Sequence, residues 1–196
     1  APVGAELFIS IAALAIAEHG RFAVALSGGN TPRALYQILT MPKYAGRLDW
    51  AHTHLFWGDE RCVPIDHPES NFRMASEALL AHVPVPTGNI HRIHGELSPD
   101  VAAARYERTL RQFFDIAADT AFPRFDLILL GMGEDGHIAS IFPASAALQE
   151  QEHWVTTSYS QATDTSRVTL TLPVINAAAN ITMLITGGNK AELVRD

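Results

Sequence analysis

The apolar positions fall into short unbroken runs separated by longer stretches of helical spacing. Residues 4–19, rich in Ala, Leu and Ile, predict a helix. Residues 22–26 are apolar throughout and close on Ser27-Gly28-Gly29, which predicts a buried strand and a tight turn. Thr31-Pro32 predicts the next helix start, with Thr31 as N-cap and Pro32 at N1. The alternation continues with a strand at 54–57, a helix at 69–80, a short strand at 90–93 and a helix at 100–114 after Pro99. The most hydrophobic strand is predicted at 126–130. Further strands follow at 154–157, 168–172 and 181–185, with a short helix opened by Pro173 between the last two.

Strands without a polar face, alternating with helices, predict an α/β fold: a three-layer α/β/α arrangement around a mostly parallel, Rossmann-like sheet. No internal repeat or long linker interrupts the pattern, so residues 1–196 read as a single domain. Such sheets bind ligands beyond the C-terminal ends of their strands, which directs attention to the glycine-rich turns there.

Composition narrows the function classes. The chain has 14 Lys+Arg against 21 Asp+Glu, a formal net charge of −7, and a negative field argues against nucleic acid as a partner. Twelve of the basic residues are Arg and only two, Lys43 and Lys190, are Lys, so an anionic ligand must be met by a few local cations. Cys62 is the only cysteine, which excludes an intramolecular disulfide and a Cys-based zinc site and fits a reducing cytoplasm. The longest apolar run, 7–17, is interrupted by Ser10 and covers about half of the ~20 residues a membrane helix needs. No basic segment precedes it, so neither a signal peptide nor a membrane span is expected and the protein reads as cytoplasmic. The chain opens on Ala-Pro and stops inside an expected helix, as a trimmed chain would.

Four turns offer chemistry. Ser27-Gly28-Gly29-Asn30-Thr31-Pro32 joins two glycines to a helix start, which suits a single phosphate group; a plain capped βα turn is the alternative, and no Walker lysine follows. Gly58-Asp59-Glu60-Arg61 puts both charge signs at a buried strand end, for use in a site or as an internal ion pair of Arg61 with Asp59 or Glu60. Gly131-Met132-Gly133-Glu134-Asp135-Gly136-His137 formally matches a dinucleotide fingerprint, but Asp135 would repel a pyrophosphate. What remains is a turn presenting Asp135 and His137, the latter suited to general base work or, alternatively, to capping a helix. Gly187-Gly188-Asn189-Lys190 places a lysine at a helix start, where an anionic ligand would explain it, and Arg167 is a weaker candidate of the same kind. His52/His54 and His91/His94 lack a third metal ligand, so no metal site is expected. Cys62 beside Arg61 reads as a packing residue.

Taken together, these turns resemble the 6-phosphogluconolactonase family, within the larger group that includes glucosamine-6-phosphate isomerases/deaminases. The resemblance is carried by Ala25-Leu26-Ser27-Gly28-Gly29-Asn30-Thr31-Pro32, by Trp57-Gly58-Asp59-Glu60-Arg61-Cys62-Val63-Pro64 with Ser70-Asn71, and by His91-Arg92-Ile93 with Gly95-Glu96. Residues 131–143 and Arg167-Val168-Thr169-Leu170-Thr171-Leu172-Pro173 complete it. The deaminase branch usually has an aromatic residue in place of Arg61 and Phe-Asn-Glu-Pro where this chain has Ser140-Ile141-Phe142-Pro143, which favours the lactonase. Asn30 stands where the family often has Ser, and family members usually continue for another strand and helix beyond Lys190.

The resemblance implies hydrolysis of 6-phosphogluconolactone, a small-molecule sugar phosphate, with no cofactor and no metal. Ser27, Gly28, Gly29, Asn30 and Thr31 would hold the phosphate, with Arg167 and Lys190 adding charge. His137 would be the general base, oriented by Asp135 or Asp59. Arg61 would position substrate or stabilise the oxyanion, together with backbone N–H groups of residues 131–133. An isomerase/deaminase and a non-catalytic sugar-phosphate sensor are the alternatives.

Overall fold

In the computed structural model, residues 2–116 and 121–186 are described. Among the described residues, eight strands form two sheets. The first is five-stranded and entirely parallel, in the order β4 (Ile90–His91), β2 (Thr53–Trp57), β1 (Phe22–Leu26), β5 (Leu127–Leu130), β8 (Ile181–Met183). Helices cover both faces, as the unbroken apolar strands required. On one side α1 (Pro2–His19) sets Phe8 edge-on to Phe22 of β1, with ring centroids 5.3 Å apart, and packs beside α2 (Asn30–Leu39). A short α3 (Pro42–Ala45) follows α2, and α4 (Asn71–Ala78) brings Phe72 against Trp57. On the other side α5 (Pro99–Phe114) packs Phe113 and Phe114 on Phe56. Helix α1 is long and apolar enough to cross a membrane by length and composition, which the interrupted run 7–17 did not suggest. One face of it packs on the sheet, burying Ala5, Phe8, Ile9, Ile11, Ala12 and Ala15, while Val3, Leu7 and Leu14 are exposed.

The second sheet departs from the single sheet the sequence suggests. Strands β3 (Asp59–Arg61), β7 (Thr165–Leu170) and β6 (Val155–Ser160) pair antiparallel in the order β3-β7-β6, and α6 (Leu172–Ala177) follows β7. The reason lies in the connection: a turn of only four residues, 161–164, links β6 to β7, whereas a parallel pair needs a crossover of roughly a dozen or more. The two sheets join at Gly58, whose N–H continues the parallel ladder to Leu26 O (2.8 Å) while its carbonyl accepts from Leu170 N–H (2.8 Å).

Strand order fixes where a crevice opens. From β1 the chain builds outward through β2 and β4, then returns to β5 and β8 on the opposite side. The switch point lies between the C-terminal ends of β1 and β5, where the turns after residues 26 and 130 face each other. Two buried tyrosines finish the neighbouring strand ends: Tyr36 Oη donates to Ser27 O (2.8 Å) and accepts from its N–H (2.9 Å), and Tyr106 does the same at Trp57 (2.9 Å each).

Candidate active site

The turn after β1 is built around a positive-φ glycine. Gly29 (φ 98°) is the N-cap of α2 and offers no side-chain cap, so the helix begins at Asn30 rather than with Thr31 as N-cap. The glycine lets the chain enter the helix before Thr31 is reached, and the first-turn N–H groups lack a side-chain cap from that residue. Thr31 Oγ1 instead meets Thr186 Oγ1 at 2.8 Å. Ser27 is buried, and its Oγ accepts from Gly131 N–H (3.3 Å), bridging the two turns across the switch point. Gly28 is held by its neighbour: a Cβ there would lie 2.0 Å from Asn71 Oδ1.

The turn after β5 carries a dyad. Gly133 N–H donates to His137 O (2.8 Å), and His137 Nδ1 lies 2.5 Å from Asp135 Oδ1, which also accepts from His137 N–H (3.2 Å). Partial burial works against ionisation of Asp135, yet the His137 ring and backbone hold its carboxyl below the usual range. With Nδ1–H donated to Asp135, Nε2 is the nitrogen bearing a lone pair. Phe142 packs on the ring at 4.5 Å between centroids. A Cβ at Gly133 would fall 2.1 Å from His137 Nδ1, so only glycine admits the ring in this place.

Between the turns lies a cleft of about 180 Å³, lined by Ser27, Gly28, Gly29, Asp59, Arg61, Asn71, Gly131, Met132, Gly133, His137 and Ala139. Nine residues lie between β3 and Asn71, but Glu60 draws them together. Its buried carboxylate accepts from the N–H groups of Arg61 (2.8 Å), Asn71 and Phe72 (2.7 Å each) and from Ser70 Oγ (3.1 Å). Burial pushes this carboxyl up, against the pull of those donors. The Arg61 guanidinium donates to the carbonyl of Glu69, so the internal ion pair anticipated with Asp59 or Glu60 is replaced by these backbone bonds.

Several expected placements change. Asp59 does not bond to His137; it accepts from Ser140 Oγ (2.7 Å) and Asn71 Nδ2 (3.3 Å). The N–H groups of Gly131 and Gly133, anticipated as oxyanion donors, are committed, the first across the switch point to Ser27 Oγ and the second within its own turn to His137 O. Asn30, Thr31 and Arg167 do not line the cleft. Arg167 is the cross-strand partner of Arg61, is only 5% exposed, and donates to Thr163 Oγ1 (2.7 Å). Lys190 lies outside the described residues. His54 and His91 face each other across adjacent strands (3.3 Å) away from the cleft, and Cys62 is half-buried with its thiol pushed up to about 11 by burial. Asn71 and Ser140 were not singled out from the sequence as site residues; the only signal was their place in the quoted stretches.

Known proteins resemble this chain over most of its length. The chain is 41% identical over 183 residues to 6-phosphogluconolactonase 3, chloroplastic, of Arabidopsis thaliana, covering 90% of this chain and 56% of that protein. It is 42% identical over 186 residues to a 6-phosphogluconolactonase of Nostoc sp., covering 94% and 75%. The crystal structure of 6-phosphogluconolactonase from Thermotoga maritima superposes with a TM-score of 0.86 at 33% identity, covering 99% of this chain and 83% of that one. All of residues 1–196 match the family described as glucosamine-6-phosphate isomerases/6-phosphogluconolactonase, and the chain belongs to that family.

Proposed function

We propose that the protein hydrolyses 6-phospho-D-glucono-1,5-lactone to 6-phospho-D-gluconate. The observation that carries this reading is the Asp135–His137 dyad set across a 180 Å³ cleft from the glycine turn at the head of α2. A water oxygen attacks the lactone carbonyl carbon while His137 Nε2 takes its proton. The tetrahedral intermediate then collapses, the bond from that carbon to the ring oxygen breaks, and His137 returns the proton to the ring oxygen. Asp135 keeps the imidazole in the required tautomer and stabilises its cation. With two of the 131–133 N–H groups committed elsewhere, the oxyanion falls to Arg61. The phosphate rests on Ser27, Gly28 and Gly29 at the head of α2, with Arg167, from outside the cleft lining, and Lys190 contributing charge. Asp59 acts on structure rather than on the imidazole. A small-molecule substrate, no nucleic-acid partner and a cytoplasmic setting complete the reading.

The test is the rate of 6-phosphogluconate formation above the spontaneous hydrolysis measured in buffer. His137→Ala is expected to lower kcat by about 10²–10⁴ with the fold retained. Wild-type turnover in the His137→Ala protein would refute the mechanism. Ammonia release from glucosamine 6-phosphate would replace the reading by the deaminase one, and binding of 6-phosphogluconate without turnover would replace it by the sensor.

A further inference from the structure

We infer that Ser140 is a positioning residue that fixes the His137 turn to the strand bearing Arg61, an inference that takes the lactone reading above as its reaction. The hydrogen bonds of the dyad are internal to the turn: Gly133 to His137, and Asp135 to His137. They shape the turn but do not locate it. Ser140 does, because each of its polar groups reaches a different strand of the antiparallel sheet. Its N–H donates to Thr169 Oγ1 of β7 (3.3 Å), its hydroxyl to Asp59 Oδ2 of β3 (2.7 Å), and its carbonyl accepts from Ser158 Oγ of β6 (2.6 Å). Ser140 is 2% exposed, and Ala139 before it holds a positive φ of 47°, a conformation that persists in a residue with a Cβ only where surrounding contacts enforce it.

The partner of the hydroxyl gives this anchor its consequence. Asp59 stands two positions before Arg61 on β3, and Asn71 binds both its carboxylate and its carbonyl (3.3 and 3.0 Å) while packing against Gly28. One bond, Ser140 to Asp59, therefore links the base, the guanidinium and the glycine turn. A hydroxyl-to-carboxylate bond is charge-assisted, and without it a buried carboxylate oxygen loses its donor.

The test compares Ser140→Ala, Asp59→Asn and the double variant, with and without His137→Ala, by kcat and KM for the lactone and by the ring NMR signals of His137. Ser140→Ala is expected to lower kcat by roughly 10- to 100-fold, as a displacement near 1 Å would, with KM changed less than about threefold. The double variant should be no slower than the slower single one, and Ser140→Ala should add nothing once His137 is Ala. The His137 ring signals should shift or broaden in Ser140→Ala. Wild-type kcat, a parallel change in kcat and KM, an equal loss in the His137→Ala background, or unmoved ring signals would each overturn the assignment. If Ser140→Ala does not fold, Ser158→Ala removes the donor to the Ser140 carbonyl and must lower kcat in the same selective way. A wild-type protein with no lactonase rate would refute the lactone reading alone, since the ring signals report the positioning without turnover.

Discussion

Gly133→Ala puts the geometry of the dyad to a direct test. A Cβ at this position would sit 2.1 Å from His137 Nδ1 and 2.7 Å from Asp135 Oδ1, against an ordinary contact distance of 3.4 Å or more. To restore that distance the ring must withdraw by roughly 1.3 Å, the difference between 3.4 and 2.1 Å. It cannot do so and keep both its 2.5 Å bond to Asp135 and its contact with Phe142. A misplacement of about 1 Å at a reacting group costs on the order of 10² in rate, or about 2.7 kcal/mol of barrier. Gly133 is not among the positive-φ glycines, so the cost comes from the displaced ring and its lost contacts, and the protein should still unfold cooperatively with its melting temperature lowered by a few degrees. The assay is kcat for lactone opening, corrected for the buffer rate, beside a thermal melt. Gly46→Ala is the control, because a Cβ there meets nothing within 4 Å. A Gly133→Ala enzyme within about twofold of wild-type kcat would show that the ring is not held where the chemistry needs it.

Gly28→Ala should raise KM about tenfold or more and cost about 1–3 kcal/mol in urea unfolding, because the new Cβ would lie 2.0 Å from Asn71 Oδ1. Adding Asn71→Ala should recover part of the stability, and strictly additive losses would refute the contact. His91 is held neutral, its pKa pushed down to about 4 by burial and by His54. The unfolded chain therefore takes up a proton that the folded protein refuses, so stability should fall as pH drops from about 6.5 towards 4. His91→Gln should flatten that limb of the urea midpoint against pH, and an unchanged slope would count against the burial argument.

How much of this was legible in the sequence depended on how local each signal was. The turns at 27–31, 58–61 and 131–137 were readable because glycines at the ends of apolar runs mark strand exits in an α/β fold. The start of α2 was misplaced because Thr-Pro is a strong local signal, while the positive φ of Gly29 becomes visible only in three dimensions. The antiparallel sheet was hidden for a different reason. Its strands are largely polar, β3 being Asp-Glu-Arg and β6 mostly Thr and Ser, and the hairpin turn at 161–164 contains no glycine, its positive φ being taken by Asp164. Ser140 and Asn71 act through Asp59, which is 81 and 12 positions away, and no spacing rule connects them.

The anion question raised by composition ends on the pair Arg61 and Arg167. Like charges directly opposite on antiparallel strands repel, and each guanidinium also has a buried Nε without a hydrogen-bond partner. Burial and the Arg61 charge both push the Arg167 guanidinium down from its usual value. Asp59, Glu60 and Glu69 offset part of this repulsion, though the carboxylates of Asp59 and Glu60 are already occupied by Ser140, Asn71 and backbone donors. The two guanidinia are thus held together in spite of their repulsion, each with one buried donor unmatched, which costs stability. The net charge of −7 describes the protein as a whole and does not reveal this pairing of two arginines on adjacent strands.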